Sequence, residues 1–369
     1  MIQPLNIAFF GSSLVSSYWN GAATYYRGII RALAKRGHQV TFYEPDAFER
    51  QAHRDIADPE WAKVIVYQPG TEADVREVVR QARGMDVVVK ASGVGVHDGV
   101  LEEAVLKLKG PGTKVIFWDV DAPATLERLH ADLQDPFRAL IPCYDLILTY
   151  GGGRPVKDAY KLLGAKRCVP IYNALDPDTH FPTAQVSRYT SDLAFLGNRL
   201  PDREVRVEEF FLKAAAGLPG QRFLLGGSGW KDKPMPDNVT YIGHVPTADH
   251  NSLNSSSKAV LNISRDSMAR FGFSPATRVF EAAGAAACII TDAWDGIEMF
   301  LKPEYEILVA RDHLEVIDQL QQLTTARASA MGHAARKRIL EEHTYDNRVE
   351  QLEKLLLSRE TQAIAPSLP

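Results

Sequence analysis

Arg278 and Glu281 stand three residues apart in a short helical pattern that follows Phe271-Gly272-Phe273-Ser274-Pro275, so both fall on one helix face. A guanidinium there can meet an anionic phosphate, and a carboxylate can accept hydrogen bonds from the vicinal hydroxyls of a ribose. Ser274 has the side chain of an N-cap, and Pro275 suits a first helical turn, where its missing N–H has no partner to lose. A helix N-terminus at that point adds free amides and a positive dipole end, both suited to phosphate. Gly284 closes the helix, and residues 287–291 read as a strand buried on both faces. Together these residues outline a nucleotide-sugar site. The alternative is an exposed Arg–Glu pair on an ordinary helix, which is common and worth little.

A site of this kind needs a sheet to carry it. Residues 5–10 form an apolar run, 25–36 an amphipathic helix closed at Gly37, and 38–43 a second apolar run. That is a βαβ unit, and a parallel sheet follows from it. Further strands are expected at 87–90, 114–119 and 145–149. A second alternating series begins near Ser191, with strands at 193–196, 222–226, 239–242, 259–262 and 287–291, and residues 325–359 form one last helical segment. Gly11-Ser12-Ser13 is not a dinucleotide fingerprint, because the later glycines are absent.

At 369 residues the chain exceeds one ordinary core and fits two α/β domains. With 45% hydrophobic and 24% charged residues, it has the make-up of a soluble globular protein. A formal charge of −4 gives no electrostatic reason to expect a nucleic-acid partner. Cys143, Cys168 and Cys288 lack metal-ligand spacing and read as small buried hydrophobes. There is no basic, apolar leader pattern and no stretch long enough for a membrane span, so a cytoplasmic location is expected.

Arg278-Val279-Phe280-Glu281, the small-residue turn at Gly284 and the strand ending at Asp292 resemble the donor-binding motif of the GT-B glycosyltransferases, and most nearly that of the CgeB-like (spore-maturation) group. Val169-Pro170-Ile171-Tyr172-Asn173-Ala174-Leu175-Asp176 resembles the interdomain segment of the same enzymes, with Ala174 where a glycine is usual. The resemblance implies two Rossmann-like domains facing a central cleft, with a C-terminal helix crossing back to the first. It divides the chain into an acceptor-binding domain (1–172), a nucleotide-sugar domain (173–340), a returning helix (341–360) and a flexible tail (361–369). It implies a hexosyltransferase-type enzyme that moves a sugar from a nucleotide donor, most commonly a uridine one, to a hydroxyl acceptor.

The same resemblance assigns roles. Glu281 holds the ribose, while Arg278, Arg203, Arg199 and Arg265 are candidates for the donor's phosphates or sugar. Gly243 and His244 lie in the loop passing the nucleobase, and Asn20 and Gly21 in a loop touching phosphate and acceptor. Many retaining members carry a glutamate seven residues before the ribose-binding one, and here Ser274 stands there. The usual acidic partner of the transferred sugar is therefore missing, and retention or inversion stays open.

An acceptor hydroxyl needs a base within hydrogen-bond reach. Asp121, in Trp118-Asp119-Val120-Asp121-Ala122-Pro123, is one candidate; its alternative role is N-cap of the helix near Pro123. His97 is the rival, because imidazole is the usual proton carrier near neutral pH. Asp119-x-Asp121 has the spacing of a cation-binding pair in another glycosyltransferase fold. That fold lacks an interdomain turn like the one at Asn173, so neither a metal nor another cofactor is expected. Two rivals stand beside this reading: a sugar-nucleotide epimerase of the same fold, and a non-catalytic two-domain sugar-binding protein.

Overall fold

The computed structural model describes residues 3–18 and 20–357. The tail expected at 361–369, and the end of the expected returning helix at 358–360, lie outside them.

Seven parallel strands form the first sheet: β1 (Asn6–Phe10), β2 (Gln39–Pro45), β3 (Lys63–Tyr67), β4 (Val87–Ala91), β5 (Lys114–Asp119), β6 (Leu146–Thr149) and β7 (Cys168–Pro170). Their order is β3-β2-β1-β4-β5-β6-β7. Six more form the second: β8 (Ser191–Leu196), β9 (Phe223–Gly226), β10 (Val239–Gly243), β11 (Ser257–Asn262), β12 (Ile289–Asp292) and β13 (Leu308–Ala310), in the order β10-β9-β8-β11-β12-β13. In each sheet the strand order reverses beside the first strand, β1 against β4 and β8 against β11. Such a reversal leaves a crevice at the carboxyl ends of the strands. β4 is buried at every residue, as expected of a parallel strand with helices on both faces.

β3, β7 and β13 are absent from the periodicity reading. β3 and β7 are the two edges of the first sheet and β13 an edge of the second. β7 and β13 have three residues each, too few for a run to stand out, whereas β3 carries the apolar run Val64-Ile65-Val66-Tyr67 and is missed although its pattern is there to read. Of the cysteines expected to be buried, only Cys288 is; Cys168 lies on edge strand β7, and Cys143 is exposed at the end of the turn Ile141–Cys143.

The helical segment expected over 325–359 is two helices. Thr325–Glu342 packs Met331, Ala335 and Ile339 into the second domain. Tyr345–Leu357 packs Tyr345, Val349 and Leu352 into the core of the first. Thr344 makes the break by capping the second helix. Its N–H and hydroxyl donate to Asn347 Oδ1 at 2.9 and 2.6 Å, and its Oγ1 accepts from the Asn347 N–H at 3.3 Å. The chain passes between domains twice, and the two crossings are tied together. Leu175 N–H donates to the His343 carbonyl at 2.8 Å, and Tyr345 N–H to the Leu175 carbonyl at 3.1 Å.

The returning helix lies so close to the helix Ala23–Lys35 that a Cβ on Gly28 would sit 2.2 Å from the Tyr345 ring. Gly28→Val should therefore overpack this seam and cost about 1–3 kcal/mol of stability. A urea midpoint equal to that of the native protein would show that the seam yields without cost.

Candidate active site

The loops leaving the carboxyl ends of both sheets enclose a cavity of about 710 Å³. Ser12, Asn20, Ser92, Asp121 and Tyr150 contribute to it from the first domain, and Arg203, Arg265, Ser274 and Thr277 from the second. A smaller cavity of about 320 Å³ lies within the second domain, lined by Asn198, His244, His250, Arg278 and Glu281 among others. Arg203 lines both cavities.

Two aspartates a residue apart meet opposite fates. Asp119 ends β5 and is fully buried. Its carboxylate accepts hydrogen bonds from Tyr160 (2.5 Å), Ser92 (2.8 Å), Thr125 (3.0 Å) and the Asp121 amide (3.1 Å). Burial raises its pKa, and those donors work in the opposite direction. It braces the loop and leaves no pair of free carboxylates with Asp121. Asp121 occupies the N-cap position of the helix Ala122–Ala131, yet its side chain makes no capping bond. It faces the cavity instead, 3.5 Å from Arg265 of the other domain, with their side chains 43% and 39% exposed. His97 is not part of the cavity wall. It starts the helix Asp98–Leu106 in a left-handed conformation, and its Nε2 lies 3.0 Å from the Pro69 carbonyl.

The helix carrying Arg278 and Glu281 begins later than expected. It runs Thr277–Gly284 with Ala276 at the cap position, so Ser274 is not its N-cap. The hydroxyl of Ser274 donates to the Gly272 carbonyl at 3.0 Å. The loop around it is pinned across the domain boundary, where Gly152 N–H donates to the Phe273 carbonyl at 2.8 Å. These tertiary contacts hold residues 273–276 out of the helix. No side chain caps the helix, whose first amides have no partner within it, and Ala276 and Thr277 still line the large cavity.

The arginines sort by what already holds them. Arg199 is engaged by Asp232 (3.0 Å) and Glu204 (2.7 Å), which raise its pKa, and it lies in neither cavity wall. Its sequence neighbours gave it the same standing as Arg203; the carboxylates that occupy it come together only in the fold. Arg278 is anchored through Nη2 to the Leu196 carbonyl and stacks 5.2 Å over the Phe195 ring. Burial, and then the nearby charge of Arg203, push its pKa down to about 10, with Glu281 opposing, so it stays a cation at neutral pH. Two guanidiniums close enough to repel one another form a preset positive field beside Glu281. The Glu281 carboxylate is 22% exposed in the small cavity, 3.9 Å from His180 Nε2.

Asn20 lines the wall, but its amide is committed to the Ser13 and Ser16 carbonyls at 2.8 and 3.0 Å, with Gly21 beside it. Gly243 ends β10, and its carbonyl accepts from the Gly227 N–H at 2.7 Å. His244, the next residue, lines the small cavity. Asp266 and Arg270, close to Arg265 in sequence, pair with each other at 3.2 Å.

Among the wall residues that escaped the sequence reading are Tyr150, His250 and Arg50. Tyr150 follows β6 and lies beside Asn173 and Thr277; burial pushes its pKa up to about 12, which keeps the phenol a donor. His250 shares the small cavity with Glu281, and burial lowers its pKa, with Glu281 opposing. Tyr150 could have been found from its place at the end of an expected strand. His250 carries no local signal. The third, Arg50, is treated below. Among the described residues no group of three or more His, Cys, Asp or Glu side chains gathers as a metal site, and no helix is long and apolar enough to cross a membrane.

Residues 203–354 match a family model described as glycosyl transferase-like. No curated protein matches the chain. Among solved structures, sucrose-phosphate synthase of Thermosynechococcus elongatus superposes with a TM-score of 0.69 at 15% identity, covering 95% of this chain and 98% of that one. HepE of Anabaena, solved with UDP and glucose, gives 0.70 at 13% identity over 95% and 99%. The fold is GT-B. The T4 phage β-glucosyltransferase, solved with UDP-glucose, is a more distant GT-B likeness, with a TM-score of 0.61 at 14% identity over 96% and 100%. In this GT-B chain the large cavity is the space between the two domains, and the small one opens from it past Arg203.

Proposed function

We propose that this chain is a glycosyltransferase of the CgeB-like kind, acting in the cytoplasm without a metal on a nucleotide-sugar donor, most simply a UDP-sugar. The observation that carries the reading is Arg203 at the junction of the two cavities, with Arg278 and Glu281 on one side and Asp121 on the other. The small cavity suits the nucleoside, with the ribose hydroxyls on Glu281. The diphosphate then falls beside Arg203 and the open amides at Thr277, and the sugar enters the large cavity facing Asp121.

Asp121 takes the proton of the acceptor hydroxyl, whose oxygen bonds to the anomeric carbon. The bond from that carbon to the phosphate oxygen breaks, and the nucleoside diphosphate leaves with the electron pair. Positive charge at the junction stabilises the leaving group as its charge grows, an effect of preorganised electrostatics. UDP-bound relatives of the same fold support the choice of nucleotide.

Glu281→Ala should weaken UDP binding by about 1.5–3 kcal/mol, roughly ten- to a hundred-fold, the worth of a hydrogen bond to a charged group. Calorimetric titration of UDP into native and variant protein checks this. Unchanged affinity in the folded variant would remove the ribose assignment. A sugar-binding protein, by contrast, would be indifferent to UDP altogether.

A further inference from the structure

We propose that the first-domain wall of the large cavity holds a subsite for an anionic group of the acceptor, a carboxylate or phosphate, with Arg50 as its counter-charge. The inference rests on the donor and acceptor reading above. Arg50 lines that wall and is only 6% exposed. Its Nη1 donates to the Ser12 and Val94 carbonyls, each at 3.2 Å, while its Nε has no hydrogen-bond partner among the described residues. The carboxylates that act on it are engaged elsewhere. Glu44 accepts from the Ser13 hydroxyl (3.0 Å), the Leu14 amide (2.6 Å) and Gln51 (2.6 Å). Asp98 accepts from Lys90 and from the amides of Val94 and Gly95 at 3.2 and 2.7 Å. Glu102, also in the wall, lies 3.5 Å from the same buried Lys90.

A guanidinium this deeply buried without an ion-pair partner is costly. The backbone that delivers it is costly as well. Phe48 and Glu49, the two residues before it, both lie in the left-handed region at φ 55° and 57°, a strain that proteins concentrate at ligand sites. Phe48 holds the turn in place. The Arg50 guanidinium stacks 4.9 Å over its ring, and the ring closes on Gly95, where a Cβ would lie 2.7 Å away. In the same wall the Tyr26 hydroxyl is buried beside Ser12. A carboxylate or phosphate entering the cavity would answer the Arg50 charge, since a guanidinium takes such oxygens through forked hydrogen bonds, and the neighbouring Tyr26 hydroxyl adds a second donor to that wall.

The test is calorimetric titration of D-glucuronate, D-glucose 6-phosphate and D-glucose into the full chain, with and without saturating UDP. At least one charged probe should bind about 10-fold or more tighter than glucose, and which one does so tells carboxylate from phosphate. That preference should vanish in Arg50→Gln, whose UDP affinity should stay native. Tyr26→Phe, a milder change to the same wall, should reduce the preference, and it carries the test if Arg50→Gln fails to fold. Equal or no binding of charged and neutral probes overturns the subsite, and so does a preference that survives in both variants. Failure of UDP to bind the native chain counts against the donor reading alone, because the anion preference is also read without nucleotide.

Discussion

Asp121→Asn is expected to cut sugar transfer by about 10²-fold or more, the usual contribution of a general base, while UDP affinity and melting temperature hold. The carboxylate lies in the wall of the large cavity and not in that of the small one. Its side chain caps no helix, so an amide in its place removes no structural bond. The ion pair with Arg265 joins two side chains that are each about 40% exposed, at 3.5 Å, and such pairs contribute little stability. Three measurements on one variant decide the matter: donor affinity, thermal midpoint and transfer rate with a competent acceptor. A fully active variant would take the base out of the mechanism altogether, because the rival His97 is tied to the Pro69 carbonyl outside the cavity wall.

Substituting Arg203 by methionine should lower turnover by about 10²–10³-fold, the range found when a group stabilising developing negative charge is removed. Donor binding should suffer less, because the charge on the leaving diphosphate grows between the bound donor and the transition state. Neither neighbouring arginine can stand in for it. Arg278 is anchored to the Leu196 carbonyl, and Arg199 is held by Asp232 and Glu204. Stability should be unchanged or slightly higher, since Arg203 and Arg278 repel one another; gains of this kind often accompany lost activity. The decisive readout is kcat against KM for donor. An unchanged kcat would leave the diphosphate to the amides at Thr277 and to Arg265.

The central strands, their alternation with helices and the resulting pair of parallel sheets are legible in the sequence because they rest on local periodicity. So is the Arg278–Glu281 pair, since three-residue spacing on a helix places two side chains on one face whatever surrounds it. The position of Asp121 and Arg265 follows as well, because each lies in the segment directly after a strand, and Arg203 comes on the helix Pro201–Val207 that follows β8.

What those side chains do was decided only by the tertiary structure. Asp119 and Asp121 belong to the same local motif, yet Tyr160, 41 residues on, helps lock one away, and Arg265 of the other domain meets the other. Arg199, in the loop after β8, and Arg203, on the helix Pro201–Val207 that follows it, are four residues apart, yet Asp232, 33 residues on from Arg199, takes up the first while the second lines both cavities. The helix carrying Arg278 and Glu281 starts at Thr277 because contacts with Gly152 hold the residues before it, and these outweigh the weak local preference that favoured Ser274 as a cap. Spacing along the chain sets which residues share a face. Which of them stay available for chemistry depends on the charges and carbonyls that folding brings beside them from far away in sequence, and an ion pair or a buried hydrogen bond carries no local pattern by which to announce itself.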